Sequence, residues 1–280
     1  MTPETKKRRR RMPSKWTSRI ISSDTVGTIE PPEWFVECYK TFRRHVTDPA
    51  YPCFFGTQAE RRGEMLYAFA SADNLAHVPQ TMATFLALSR ENEKNNFALF
   101  FEPQSPPLDH DGARSFFWRT LQYLHDHDGY AVPDATAPDP SDSMWEFTFA
   151  GVQMFVVGCS PSYQRRHSRN LGPGLILLFQ PGSVFVDAIT QHSINGPEVR
   201  ARIRDRLTRW DDTPPHGSLG VLGDTDKREW KQYFLPDDDS PGLKECPFLQ
   251  RRGRAAETSR AEDKVARGQS AVPAKKPAPS

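Results

Sequence analysis

The stretch Cys159-Ser-Pro-Ser-Tyr-Gln-Arg-Arg-His-Ser-Arg-Asn170 sets Arg165, Arg166, His167 and Arg169 directly behind a run of residues that reads as a core strand. Loops at the ends of core strands are where sites are commonly built. Arginine offers paired N–H donors in a fixed fork, which makes it the natural partner of a carboxylate. The loop is therefore a candidate seat for an anion, such as a substrate carboxylate or a cofactor propionate, with a solvated basic loop as the plain alternative. Other chemical signals are weaker. His125-Asp126-His127-Asp128 has the composition of a metal cluster, but histidines two apart diverge on a helix, so a solvated helix end is the simpler reading. Gly217-Ser-Leu-Gly220-Val-Leu-Gly223 follows two prolines and has no apolar strand before it, so it reads as a Gly-rich loop and not as a dinucleotide-binding turn. Cys53, ahead of Phe54-Phe55, reads as a small buried hydrophobe, and Trp118, Trp145 and Trp230 read as core. The chain has no Gly-x-Ser-x-Gly elbow, no Walker lysine motif and no His-Glu-x-x-His, so the common hydrolase, NTPase and zinc-protease readings have no support.

The elements that must hold these residues are legible from periodicity. Pro31-Pro32 opens an amphipathic helix in which Trp34, Phe35, Cys38, Tyr39 and Phe42 recur at helical spacing until Asp48-Pro49. A short helical turn follows Phe55, and Met65 to Ala70 reads as a strand. A helix is expected from about Val78 to Glu91, and the run Phe97 to Phe101 is expected to be a central, buried strand. Phe116, Phe117, Leu121, Tyr123 and Leu124 give helical spacing between Gly112 and about His127. After a Pro- and Asp-rich loop, Trp145 to Phe149 alternates apolar with polar, and Ala150-Gly151 turns it into Met154 to Val157 as a hairpin. Gly174 to Phe179 is a further β-rich run, and Glu198 to Trp210 is a basic amphipathic helix. The sum is one α+β domain with a mixed, mostly antiparallel sheet covered by helices, without internal repeats or an interior linker.

Charge divides the 280 residues into three parts. Residues 1–30 hold eight Lys or Arg against three acids, and residues 251–280 repeat that balance. Both stretches have too little apolar content to offset the entropy of ordering and are expected to be disordered basic tails flanking a domain over 31–250. Because the whole chain is only +2, the body between the tails is net acidic, at −8. An acidic body argues against a phosphate-tracking nucleic-acid domain and suits a cationic or neutral small partner. No stretch approaches the roughly 20 apolar residues of a membrane span, and the N-terminal charges have no apolar region behind them. Four cysteines without a Cys-x-x-Cys pair read as reduced thiols of an intracellular protein, cytoplasmic unless Lys6 to Arg11 acts as a nuclear signal.

Several segments combine into a pattern more specific than any one of them: Tyr51-Pro-Cys-Phe-Phe55, the helix Phe117-Trp118 to Asp126, Trp145-Glu-Phe147, Phe179-Gln-Pro181, Arg206, Asp211, Pro215-His216-Gly-Ser-Leu-Gly220 and Glu229-Trp-Lys-Gln-Tyr-Phe-Leu235. In this order they resemble the YqcI/YcgG family over about Tyr51 to Leu235. The resemblance implies a haem-dependent oxygenase that N-hydroxylates a guanidino or amino nitrogen of a small, arginine-like amino acid in secondary metabolism, with haem b as cofactor and an external electron donor. Haem iron takes an axial His, Cys, Met or Tyr, for which the chain offers His216, Tyr163, His167 and Cys53, while Arg166 and Arg169 would meet the propionates. The family usually has Pro-Ala-His where this chain has Pro161-Ser162-Tyr163, and continues Gln-Pro with Arg where this chain has Gly182. Since His216 keeps its place it is the leading axial ligand, with a Tyr163 tyrosinate as the alternative. The two departures also keep open a non-catalytic protein of the same fold that binds haem or another small ligand.

Overall fold

A computed structural model describes residues 20–22, 31–92, 95–129, 139–182 and 196–248. The chain divides into the units Met1–Gly242 and Leu243–Ser280, and every element numbered below lies in the first. The strands are β1 (Ile21–Ser22), β2 (Met65–Ala70), β3 (Asn96–Phe101), β4 (Phe147–Phe149), β5 (Val152–Cys159) and β6 (Ile176–Pro181). The helices are α1 (Glu33–Val46), α2 (Phe54–Arg62), α3 (Val78–Asn92), α4 (His110–Asp126) and α5 (Gly196–Asp211). Single 3-10 turns span His167–Arg169 and Glu229–Gln232. Among these residues no helix is long and apolar enough to cross a membrane.

Local chemistry accounts for the boundaries. Pro32 precedes α1 with the fixed φ that suits a helix entry, Glu33 lies in the first turn, and Arg43, Arg44 and His45 lie in the last, as the helix dipole favours. Asp109 caps α4 by accepting from Gly112 N at 2.7 Å. Gly63 closes α2 in the left-handed region. Ala150 and Gly151, with φ of 49° and 72°, make the two-residue turn that joins β4 to β5.

The sheet runs in the order β1-β2-β3-β6-β5-β4, with β2 and β3 parallel through α3 and every other pair antiparallel. The fold is thus the expected α+β arrangement with a mixed, mostly antiparallel sheet. Alternation along the strands divides the core. Tyr67, Ala98, Phe100 and Ile176 join Phe35, Cys38 and Phe42 of α1 on one face. Phe97 stacks on Phe85 of α3, and Phe101 meets Phe116 of α4, on the other.

One boundary departs from expectation. Ile21–Ser22 falls inside the stretch read as a basic tail, yet it pairs antiparallel with β2, and Ile20 and Ile21 are each 1% exposed. A charge count over 30 residues averages away a short apolar pair whose pairing is distant in sequence, with Ile21 against Tyr67, 46 positions later. Lys6 to Arg11 and residues 251–280 lie outside the described residues. We expect Ile21→Ala to cost about 2 kcal/mol, since it removes buried methylenes and leaves a cavity. A urea midpoint unchanged from the parent would show that β1 contributes nothing to the sheet.

Candidate functional site

The arginine-rich loop folds as a structural hub. Arg166 is buried, with Nε donating to Pro236 O (3.0 Å), Nη1 to Pro214 O (3.1 Å), and Nη2 to Asp238 O (3.1 Å) and Asp239 Oδ1 (2.9 Å). Arg169 donates to Tyr233 O (3.0 Å) and Gln232 O (2.8 Å). The backbone N–H groups of Gln164, Arg165 and Arg166 converge on the Asp237 carboxylate at 2.9–3.1 Å. Ser168 anchors the loop to the end of α5 through Asp211, at 2.6 and 2.8 Å. Burial raises the Asp211 carboxyl, and the two Ser168 hydrogen bonds oppose that shift. The anion that this loop holds is the chain's own acidic segment.

The expected axial ligands are placed as follows. His216 is buried, its Nε2 lies 3.0 Å from Ser240 O, and its Nδ1 accepts from Ser218 N at 3.0 Å. Both ring nitrogens are therefore used, in a neutral tautomer that burial favours by lowering the imidazole's affinity for a proton. Tyr163 is fully buried and donates its hydroxyl proton to Leu235 O at 2.8 Å, and burial pushes its ionisation well above the ordinary range. A tyrosinate is disfavoured there. Cys53 is exposed as a residue, contrary to its reading as a buried hydrophobe, and its sulfur accepts from Gly56 N (3.4 Å) at the start of α2. His167 is exposed and lines an open cleft of about 450 Å³ with His45, Asn170 and Trp210. As folded, Arg166, Arg169, His216 and Tyr163 spend their polar atoms on the protein and do not fit a haem. Of the residues named for iron, His167 keeps an imidazole facing open space.

A second place adjoins this loop through the bonds of Arg169 to Gln232 O and Tyr233 O, and the sequence reading did not single it out. Gly158 of β5 has no side chain where a Cβ would lie 2.5 Å from Phe234 and 2.8 Å from Phe117, so α4 and the segment after Glu229–Gln232 close tightly on the strand. Gly158 N donates to Tyr233 O at 2.7 Å. The Tyr233 hydroxyl then ties β4 to β5, accepting from Phe147 N (2.9 Å) and donating to Met154 O (3.2 Å). The Tyr233 ring packs against Trp118 and Trp145, and Trp118 meets Trp230 edge-on. Trp230 is fixed by donating Nε1 to Pro140 O at 3.1 Å.

This aromatic wall holds two acids. Glu146, the residue before β4, is 5% exposed, and Glu229 is 7% exposed. In a 3-10 turn residues three apart eclipse, which brings Gln232 Nε2 to 2.9 Å from Glu229 Oε2. Among the described residues neither acid has an ion-pair partner, and the Glu146 carboxyl accepts no hydrogen bond. Lys231 is turned instead onto the Trp230 ring, 5.6 Å from its centre. Burial pushes Glu146 up to about 7. Burial, and then the charge of Glu146, push Glu229 up to about 8. The signal available in the sequence was an acid embedded in each of two aromatic segments, Trp145-Glu-Phe147 and Glu229-Trp230. Trp145, Glu146, Glu229, Trp230 and Trp118 all belong to segments that carry the family resemblance, and tertiary structure brings those segments together here.

The YqcI/YcgG family model matches residues 42–249. The chain belongs to the YqcI/YcgG family. Similar relatives include YcgG of Bacillus subtilis (strain 168), 32% identical over 78% of this chain and 89% of YcgG, and YqcI of the same strain, 31% identical over the same shares. Both carry the name of uncharacterized proteins. A third, from Streptomyces lavendulae, is named "Putative N(omega)-hydroxy-L-arginine synthase DcsA" and is 28% identical over 84% of this chain and 91% of its own length. No solved structure matches the chain. As a YqcI/YcgG protein, the chain extends its match beyond the expected Tyr51 to Leu235, taking in the end of α1.

Proposed function

We propose that this protein is an oxidoreductase that N-hydroxylates a guanidino or amino group of a small, arginine-like molecule. The observation that carries the reading is the site itself: the segments that carry the family resemblance fold into one aromatic wall holding two buried acids, for which the described residues supply no paired cation. The name of the Streptomyces relative points to the same substrate class. N-hydroxylation places one atom of O2 into an N–H bond and sends the other to water, which takes two electrons and two protons from an external donor. Haem b is the oxygen-activating group implied by the family resemblance. Of the residues named for its iron, His167 is the exposed imidazole, in the cleft lined by His45, Asn170 and Trp210. The residues of the aromatic wall bind and orient the substrate, and the exclusion of water there strengthens each electrostatic contact.

The test is purification from haem-supplemented cells, followed by absorbance and turnover of a panel of guanidines and amines with a reducing system. A Soret band with formation of an N-hydroxy product is expected. A Soret band without turnover across the panel would favour a haem carrier, and a colourless protein that turns nothing over would sink the reading. His167→Ala is expected to weaken or shift the Soret band, and His216→Ala to leave it in place, because His216 has both nitrogens engaged.

A further inference from the structure

We infer that Ser162 and His110 form a nucleophile and base that transfer a short acyl group from an activated ester to water. The reaction needs no cofactor and stands apart from the N-hydroxylation proposed above.

The pair is assembled where the loop after β5 meets the start of α4. His110 is the first residue of α4, and its Nε2 lies 3.0 Å from Leu235 O. A carbonyl oxygen can only accept, so Nε2 carries the ring proton and Nδ1 is left bare. Nδ1 lies 3.3 Å from Ser162 Oγ, which therefore donates to it. Three contacts hold the imidazole in that tautomer and orientation: the Leu235 carbonyl, the Tyr163 ring edge-on at 4.9 Å, and the Phe234 ring at 5.1 Å. On the other side Ser160, 2% exposed, sets its hydroxyl 2.9 Å from Ser162 Oγ and accepts from Ser162 N at 3.2 Å, which orients the nucleophile. A serine bonded to a base that a third group orients is the arrangement that activates the hydroxyl. No local motif announces it, because the two residues stand 52 positions apart.

Ser162 and His110 are both half-buried, so a dissolved substrate reaches them. At such a position a hydroxyl-to-imidazole bond competes with water and contributes little to stability. A pocket of about 20 Å³ opens beside the pair, between the end of β3 and the start of α4, lined by Leu108, Phe116, Ser160, Pro161 and Leu175. That is room for about one water or one methyl group, which selects an acetyl-sized acyl group. The first turn of α4, to which His110 belongs, adds backbone N–H groups without intrahelical acceptors, the kind of donor a developing oxyanion needs.

The steps balance without an oxidant or reductant. Ser162 Oγ bonds to the ester carbonyl carbon as its proton passes to His110 Nδ1, and the imidazolium is held by the stronger bond from Nε2 to Leu235 O. The bond to the leaving oxygen breaks, and that oxygen takes the proton from Nδ1. Water then attacks the acyl serine, giving a proton to Nδ1, which returns it to Ser162 Oγ as the carboxylic acid departs.

The test is exposure of the full chain to a fluorophosphonate probe, with the adduct located by mass spectrometry, and release of p-nitrophenolate from its acetate and octanoate esters. An adduct on Ser162 is expected, with the acetate turned over at least about 10-fold faster than the octanoate, since a pocket wall rejects extra methylenes by that order. Ser162→Ala should lose the adduct and the turnover, and His110→Gln should slow both at least about 100-fold, the range of general base catalysis. No adduct on Ser162, turnover unchanged in Ser162→Ala, or an unchanged rate in a His110→Gln that keeps the parent's circular dichroism overturns the inference. Faster turnover of the octanoate overturns the acyl pocket. If His110→Gln fails to fold, labelling of the parent against Ser162→Ala still decides, because Ser162 lies outside the helices and strands.

Discussion

Arg166→Ala is expected to lower stability by about 3–4 kcal/mol and to release the segment from Pro236 to Asp239. The guanidinium is buried and bonded to three carbonyls and one carboxylate. Truncation leaves those acceptors without a donor, and an unsatisfied buried group costs about 1–3 kcal/mol. The loss falls below the sum because Asp239 is exposed to solvent and regains water. For a domain of this size the melting temperature should drop by roughly 6–15 °C. Arg166→Lys should recover little, because an ammonium has one charge centre and cannot span Pro214, Pro236 and Asp238 together. A loss below about 1 kcal/mol, accompanied by weakened binding of an anionic ligand, would return the guanidinium to the role of an anion site.

Raising the pH from 5 to 8.5 is expected to destabilise the fold, through Glu146 and Glu229. Both carboxyls titrate higher in the folded chain, at about 7 and about 8, than the ordinary 4.5. Between those values the folded state binds more protons than the unfolded state, so stability falls as pH rises. The contribution is complete below about pH 4.5 and is lost once both groups have ionised, above about pH 8. A pKa unit corresponds to about 1.4 kcal/mol, which places the Glu146 effect at about 3 kcal/mol. Glu146 bears on Glu229, whose Oε2 accepts from Gln232 Nε2, and Lys231 is held on Trp230. The measurement is the urea midpoint of the parent and of the double variant Glu146→Gln, Glu229→Gln across that range. The variant should gain on the parent steadily with pH. A constant difference between the two would mean that the acids are solvated and carry no buried charge.

Periodicity made most of the fold readable. The buried positions of α1, at Phe35, Cys38, Tyr39, Phe42 and Val46, are the helical repeat of the sequence. The run from Phe97 to Phe101 is the interior strand β3, and Ala150-Gly151 forms the hairpin turn. His125 to Asp128 ends α4, where the Asp128 carboxylate accepts from Ala150 N at 2.8 Å. These features depend on neighbours within a few residues, or on burial of a whole face, and composition reports both. β1 was hidden because its evidence for order lies in β2.

Apart from β1, the sequence by itself determined most of the elements, the acidic body and the family, since all three reside in residue types taken in order. Tertiary structure alone decided which polar groups are spent and which are free. Arg166 finds its acceptors 48 to 73 positions away, at Pro214 and from Pro236 to Asp239. That pairing turned a loop with the composition of an anion site into a clamp. Glu146 stands among residues that pack well, its carboxyl ends against Gly182, and among the described residues it has no ion-pair partner. Satisfaction of a buried group depends on which distant backbone passes within about 3 Å, and no local pattern of residue types encodes that distance.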